Sequence, residues 1–410
     1  MPRFEPFAAL RYATTDLARV IAPPYDVLSD ADVDGLQAKS AQNITFVDVP
    51  RGDVERYDRA AELYAQWQDD GVLVADPAPS LTIYRMRFTD ASGTRRDIVG
   101  VLGALEVVDE GAGGVLPHER TTPKASTDRL DLTRATGANL SPVWGLSLAG
   151  GLTALLAEPG EPLGRVVDGD EGADQRTGEG AGGGVEHVVE RISDPARIAA
   201  ITTLLAGDDV LIADGHHRYG VARTYRDEVR ATTGRDDTPA ELTLAFVSEL
   251  VADQLSVAAI HRLYAGIDHT TLRSTLATSF DLGPTPPPTT ATLAAMESDG
   301  FMVLLTRGSG GGVIAETLTP RPGAFDTDRS LDGVWLEVAL RDSPATVSYQ
   351  HGLDEVLHAV TSGAAEAAVL IRPVSVAEIE RTAREGLLMP PKSTFFTPKL
   401  KTGLVIRPAR

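Results

Sequence analysis

The residues best suited to bind an anion follow a short apolar run at 210–213. They are Asp214, Gly215, His216, His217 and Arg218. This order predicts a buried strand, a tight turn at the glycine and a helix whose first turn carries cationic side chains. Backbone N–H groups and the helix dipole favour anions at a helix start, and an anionic ligand would compensate the cations there. We therefore expect a phosphate site at 214–218, in which Asp214 is a candidate Mg²⁺ ligand or orients a histidine. The alternative is an ordinary strand–turn–helix junction with a surface histidine pair.

A second polar loop follows Pro117. It contains His118, Glu119 and Lys124, and the chain continues from it to Asn139. A His–Glu pair can serve as a general base and the group that orients it, or as Mg²⁺ ligands. Lysine is rare in this chain, since only five of the 38 basic residues are lysines, and Lys124 therefore favours a functional interpretation. The alternative is a solvated loop.

The C-terminal segment carries three of the five lysines, namely Lys392, Lys399 and Lys401, among prolines, hydroxyl residues and two phenylalanines. A rigid backbone with two apolar anchors and mobile ammonium groups suits a lid or clamp that closes on an anion. The alternative is a tail that its phenylalanines hold in place. Near the N-terminus, Asp26 follows Pro23, Pro24 and Tyr25, and it is either a catalytic carboxylate or a residue that precedes a helix.

Composition narrows the class of protein. The 410 residues carry a net charge of −20 and no cysteine. This charge argues against nucleic acid or an anionic membrane as the main partner, because both require a basic surface. The absence of cysteine excludes disulfides, thiolate nucleophiles and Cys-ligated metals. The N-terminus lacks a signal pattern and no apolar run is long enough to span a bilayer. We therefore expect a cytoplasmic protein whose partners are small molecules.

Strand-like and helix-like patterns alternate without a strict βαβ rhythm, which predicts a mixed α+β fold. Ser29 should begin a helix at 30–39, and a second helix should cover 53–70. The Gly-, Asp- and Glu-rich stretch 158–184 lies between strand-like flanks, so we predict a hairpin with a disordered acidic tip. The proline run at 284–288 predicts a division between a region at 1–283 and a C-terminal α+β region at 284–410.

Several of these segments resemble, in this order, a widespread prokaryotic family known only as a domain of unknown function. The matching segments are 6–11, 22–27, 118–119, Asn139, 213–218 and 389–403. The Asp-Gly-His-His-Arg run at 214–218 is also similar to the signature of SerK-type free serine kinases, which belong to the ParB/sulfiredoxin-like superfamily.

The resemblance implies a ParB/sulfiredoxin-like core with added β-hairpins, and a segment at 389–403 that returns to the site. It further implies phosphoryl transfer to a small substrate with a hydroxyl group, and the first candidate is L-serine, which would become O-phosphoserine. The donor would be ATP, ADP or pyrophosphate, and the cofactor would be Mg²⁺. Residues 214–218 would then hold the donor, together with Lys124, Asn139, Lys392 and Lys399. Two residues are alternative candidates for the general base, namely Asp26 and Glu119, which is next to His118 in the sequence. A non-catalytic protein that binds a phosphorylated metabolite or a nucleotide is the alternative.

Overall fold

The computed structural model describes residues 1–90, 93–117, 126–168, 184–308, 310–325, 331–390 and 392–410. It has the predicted mixed α+β architecture, in which two larger sheets and three two-stranded sheets are packed with helices. Among the described helices, none is both long enough and apolar enough to cross a bilayer.

The strands are β1 (Phe4–Glu5), β2 (Leu10–Tyr12), β3 (Leu73–Ala75), β4 (Leu81–Thr89), β5 (Arg95–Glu106), β6 (Val115–Pro117), β7 (Ala138–Asn139), β8 (Val143–Ser147), β9 (Glu161–Val167), β10 (Glu186–Ile192), β11 (Val210–Asp214), β12 (Leu242–Glu249), β13 (Ser256–Ala258), β14 (His261–Ala265), β15 (Phe280–Thr285), β16 (Met302–Arg307), β17 (Val313–Pro320), β18 (Thr346–Gln350), β19 (Ala367–Leu370), β20 (Phe395–Thr397) and β21 (Arg407–Pro408). The helices are α1 (Asp30–Lys39), α2 (Thr45–Asp48), α3 (Arg56–Asp69), α4 (Ser126–Thr136), α5 (Leu152–Leu155), α6 (Pro195–Leu205), α7 (His216–Thr233), α8 (His269–Leu276), α9 (Thr290–Asp299), α10 (Asp332–Ala339), α11 (Leu353–Ser362) and α12 (Val376–Arg384).

The larger sheet has nine described strands in the order β6-β11-β8-β12-β5-β4-β10-β9, with β1 added beside β5. The β6–β11 and β8–β12 pairs are parallel, and the other neighbours are antiparallel. Asp214 at the end of β11 is paired with Trp144 at the start of β8. The sheet therefore brings the last residue of β11 beside the loop that leads into β8.

Local sequence signals predict several elements correctly. The side chain of Ser29 accepts the backbone N–H of Asp32, and the Asp32 carboxylate accepts the backbone N–H of Ser29. This reciprocal capping begins α1 at the predicted residue. The predicted hairpin is also present, because β9 and β10 are antiparallel neighbours. Helix α3 begins at Arg56, three residues later than predicted.

The second sheet has six described strands in the order β15-β17-β16-β19-β14-β18. The strand of this sheet that comes first along the chain is β14, which begins at His261. Strand β15 extends over 280–285, and its Pro284 is paired with Glu316. The predicted division at residue 284 thus falls inside a strand, and this sheet includes residues on both sides of it. Pro284 fits there because β15 is an edge strand.

A C-terminal strap, residues 395–409, crosses back over the larger sheet. Strand β20 pairs with β13, and β21 pairs with β7. Between them, Thr402 exchanges backbone hydrogen bonds with Ala22, and Ile406 does so with Leu10. Phe396, Leu400 and Ile406 are buried in the main core. The strap is therefore an integral layer of the fold and passes over the end of β11.

Candidate active site

Strand β11 ends in a turn that only glycine fits well. Gly215 has a φ of +88°, and it is the residue that precedes the first turn of α7. A Cβ at this position would lie 3.0 Å from Cζ of Arg218. Glycine thus supplies both the left-handed backbone and the room for the arginine. His216 and His217 are the first two residues of α7, and both are half-buried. The N-cap residue of α7 is Gly215, which has no side chain to cap the helix, and backbone N–H groups at a helix start favour an anion.

The carboxylate of Asp214 bridges two cations at this turn. Its Oδ1 accepts a hydrogen bond from Nζ of Lys399 at 2.8 Å, and its Oδ2 accepts one from Nη2 of Arg218 at 2.6 Å. Burial alone would raise the pKa of Asp214, but the Lys399 ammonium and the Arg218 guanidinium outweigh it and hold that pKa well below its ordinary value. Asp214 is therefore a fixed negative charge between two nearly buried cations.

The Arg218 guanidinium links this carboxylate to the loop before β8. Its Nη1 donates to Oγ of Ser141 at 3.1 Å and to the carbonyl oxygen of Pro142. Burial lowers the pKa of Arg218, but the neighbouring acidic groups, with Asp214 the strongest, more than offset this and the pKa is raised. The cation in the first turn is thus compensated by a carboxylate of the protein itself. For Arg218, Asp214 thus takes the compensating role that the sequence suggested for an anionic ligand.

Arg218 also lines a small cavity of about 50 Å³. Tyr25, Asp48, Arg129 and Ser141 line it, together with apolar residues of α4 and α7. The Arg129 guanidinium lies 4.2 Å from the centre of the Tyr25 ring. The cavity is consequently a polar recess with one aromatic wall and two arginines.

Asp48 is a cavity residue that sequence reasoning missed. Its side chain is only 6% exposed, and its Oδ1 lies 3.3 Å from Nη1 of Arg129. Burial raises the pKa of the Asp48 carboxyl, and the attraction of Arg129 and Arg218 offsets this only in part. A carboxyl with a raised pKa at a cavity wall is a candidate proton acceptor. The one sequence signal for it is an acidic residue at the end of 44–47, a run that is apolar except for Thr45.

The predicted site residues are only partly brought together. Asp26 is exposed, and its charge acts on Arg218, Tyr25 and Asp48. Asn139 lines the cavity, but its side-chain oxygen accepts hydrogen bonds from the backbone N–H of Leu244 and from Arg407. Asn139 therefore joins β7 to its neighbours.

The remaining predicted residues are Lys392 and those of the loop after Pro117. The Lys392 side chain is exposed, and its backbone oxygen accepts a hydrogen bond from Arg262 at 3.2 Å. His118, Glu119 and Lys124 lie outside the described residues. Pro117, which precedes them, is paired with Ile212 two residues before Asp214. The chain therefore leaves β6 beside the end of β11.

The predicted Mg²⁺ ligand does not fit that role as it stands. Both oxygens of Asp214 already accept hydrogen bonds from cations. Within the described ranges, no group of three or more His, Asp and Glu side chains could hold a metal ion. Mg²⁺ takes several oxygen ligands in a near-octahedral arrangement, and one carboxylate between two cations does not supply them.

Comparison with known proteins places the chain in a family. The family model described as "Protein of unknown function (DUF1015)" matches residues 4–333. The chain belongs to the DUF1015 family. The match includes the turn at 214–218 and the cavity residues, whereas Lys399 and the rest of the strap lie beyond it. No curated protein matches the chain.

Among solved structures, the chain is similar to a free serine kinase in complex with AMP, with 12% identity and a TM-score of 0.36 over 71% of this chain and 89% of that one. It is also similar to a C-terminally truncated SbnI from Staphylococcus aureus, with 12% identity and a TM-score of 0.40 over 75% of this chain and 88% of that one. A conserved hypothetical protein from Pyrococcus furiosus has 11% identity and a TM-score of 0.35, over 71% and 92% of the two chains.

Proposed function

We propose that the protein is a phosphotransferase that moves a phosphoryl group from a nucleotide or pyrophosphate donor to a small hydroxyl amino acid, with L-serine as the first candidate. The observation that carries the proposal is the turn at 214–218. There, the Lys399 ammonium and the Arg218 guanidinium both donate to the Asp214 carboxylate at the start of α7. The resemblance of this turn to the SerK signature supports the choice of reaction.

Phosphoryl transfer relies on positioning and charge neutralisation more than on covalent help from the protein. The first-turn N–H groups of α7 would bind phosphate oxygens of the donor. Lys399 has three N–H donors, and Asp214 uses one of them. Asp214 would thus hold Lys399 and Arg218 in place while leaving further N–H groups for the phosphate. The predicted Mg²⁺ and the ParB-like core stay predictions.

We assign the acceptor to the cavity that Arg218 lines. There the acceptor hydroxyl oxygen would attack phosphorus as the bond from phosphorus to the leaving phosphate oxygen breaks. The hydroxyl proton would pass to a carboxylate. Asp26 and Asp48 are the described candidates, since both act electrostatically on Arg218. Asp48 has the raised pKa that favours proton uptake.

The second candidate function is a non-catalytic protein that binds a phosphorylated metabolite. One observation favours it: Asp214 already neutralises the cations of the turn, and binding alone requires no base. The two functions differ in whether Asp26 and Asp48 matter. If the protein is catalytic, whichever of Asp26→Asn and Asp48→Asn removes the base should abolish turnover, and both variants should still bind phosphate.

The deciding experiment is a transfer assay. Purified protein is incubated with L-serine and Mg²⁺, separately with ATP, ADP and pyrophosphate, and O-phosphoserine is measured by ³¹P NMR. We expect product with at least one donor. Lys399→Met should raise the KM of that donor about tenfold or more through loss of a charged hydrogen bond. Lys39→Met, which removes an exposed lysine at the end of α1, is the matched control. Absence of product with every donor, together with tight phosphate binding, would support the second candidate.

A further inference from the structure

Part of the C-terminal strap lacks backbone support. Strand β20 ends at Thr397, and the next backbone bridge is at Thr402. Between them, the described residues supply no backbone hydrogen bond to residues 398–400. This interval contains Lys399, the lysine that contacts Asp214. Its position must therefore be fixed by side chains.

One of those side chains is Lys401, which takes no part in the proposed chemistry. Its Nζ lies 2.6 Å from Oδ2 of Asp168, and the two side chains are 7% and 17% exposed. The same Oδ2 lies 2.9 Å from Nε2 of the buried His187. Nδ1 of His187 lies 2.7 Å from the hydroxyl of Tyr84. The backbone N–H of Lys401 in turn donates to that hydroxyl at 3.4 Å.

These four residues form a closed cluster with a consistent set of donors. With Asp168 ionised, Nε2–H of His187 donates to it, and Nδ1 of His187 accepts the hydroxyl proton of Tyr84. The oxygen of Tyr84 then accepts the N–H of Lys401. Burial lowers the pKa of His187, which agrees with a neutral ring. Lys401 is thus held at both its side chain and its backbone.

The cluster and the candidate active site lie at separated strands of one sheet. Asp214 is on β11, whereas His187 is on β10 and Tyr84 on β4, with β8, β12 and β5 between β11 and β4. A row of aromatic rings runs from the strap to the cluster, and the centres of consecutive rings are 5.4–5.8 Å apart. The row consists of Phe396, Trp144, Phe246, Tyr84 and His187.

The alternation of residues along the strap makes its register decisive. Lys399 and Lys401 are two residues apart and both end on carboxylates, those of Asp214 at the end of β11 and of Asp168 just after β9, while Leu400 between them is buried. A slip of one residue would place Leu400 against a carboxylate. A buried ion pair contributes little net stability compared with apolar residues of the same size, so its effect should be on geometry.

We propose that Lys401, Asp168, His187 and Tyr84 form a positioning cluster that fixes the register of the strap and thereby holds Lys399 against Asp214. The inference rests on the proposed function only for its effect on donor binding. These four are positioning residues, since none of them contacts the proposed phosphate site. Loss of the cluster should loosen Lys399 without altering the groups that take part in transfer.

Lys401→Met tests the proposal, because it removes the charge and keeps most of the side-chain volume. Lys39→Met is the control, and Tyr84→Phe, which removes one hydroxyl, is a milder second variant in case Lys401→Met does not fold. The first readout is hydrogen exchange at the amides of residues 401–403. They donate to Tyr84, to the backbone oxygen of Ala22 and to that of Leu140. We expect these amides to exchange at least about tenfold faster in both cluster variants, while the amides of β12 keep their rates.

The second readout is kinetic. If the cluster positions Lys399, the donor KM rises about tenfold in Lys401→Met, kcat changes less than about threefold, and the serine KM is unchanged. Unchanged exchange at 401–403 in both cluster variants overturns the proposal, whether or not the protein transfers phosphate. Faster exchange with an unchanged donor KM in an active enzyme overturns the link to Lys399. An inactive wild-type protein argues only against the proposed function, since the exchange readout is independent of turnover.

Discussion

At the residue scale, the Asp214 carboxylate gives a stability prediction whose sign depends on pH. Its pKa in the folded protein is below the ordinary value of 3.8. Folding therefore gains from this ionised group above that value and loses the gain as the pH falls through the folded pKa. Asp214→Asn leaves Lys399 and Arg218 buried without their carboxylate and should lower the free energy of unfolding by about 3 kcal/mol at neutral pH.

Urea unfolding of wild type and Asp214→Asn between about pH 3 and 7 measures this effect. The difference in unfolding free energy should be constant above about pH 5 and should shrink as the pH falls below about 4, where Asp214 of the unfolded chain takes up a proton that the folded protein does not yet bind. A difference that is independent of pH would contradict the placement of an ionised Asp214 between two cations.

Substitution by alanine at two glycines near the start of α7 should change the free energy of unfolding in opposite directions. Gly215 has a φ of +88° and would direct a Cβ at Arg218, so Gly215→Ala should cost about 1–2 kcal/mol. Gly220 lies inside α7, and nothing lies within 4 Å of the position that an alanine Cβ would take there, so Gly220→Ala should gain about 0.5–1 kcal/mol. Thermal unfolding of the two variants side by side gives the comparison. Donor binding should weaken only in Gly215→Ala, because only that substitution displaces Arg218.

At the scale of elements, the β9–β10 hairpin should tolerate a shorter connection. The backbone N–H of Asp168 donates to the oxygen of Val185 at 3.0 Å, which closes the hairpin before residue 169. Replacing 169–183 with a four-residue Gly/Ser linker keeps both strands and Asp168. A shorter loop loses less entropy on closure, so the free energy of unfolding should stay equal or rise by about 1 kcal/mol. A marked loss of stability would show that 169–183 contributes to the fold.

Elements with a local sequence signal could be predicted, and contacts between distant segments could not. Ser29 with Asp32 is a capping pair three residues apart, and the apolar run before Gly215 marks the end of β11. By contrast, the contact between Lys399 and Asp214 joins positions 185 residues apart. Asp48 acquires its raised pKa from burial in the folded chain, where it lies beside Arg129 of α4. No local sequence pattern specifies such a distant partner. The three lysines at 392–401 could be predicted to be functional because lysine is rare in this chain, whereas Asp48 carries no such signal.

At the scale of the whole molecule, the net charge of −20 opposes the approach of a phosphate donor. Long-range repulsion between the protein and an anion is screened by salt, whereas contacts between nearly buried groups at the turn are screened much less. Added salt should therefore favour donor binding in this protein. A protein that binds nucleic acid through a basic surface shows the opposite dependence.

Steady-state kinetics over a range of salt tests this expectation. The donor KM should fall as the ionic strength rises from about 20 to 200 mM, where the screening length shortens from roughly 20 to 7 Å. Free Mg²⁺ is held constant so that the charge of the donor complex does not change. L-serine is the internal control, because a zwitterion without net charge feels little long-range field and its KM should not move. A donor KM that rises with salt would mean that exposed cations capture the donor, and it would place the phosphate site outside the nearly buried turn at Asp214.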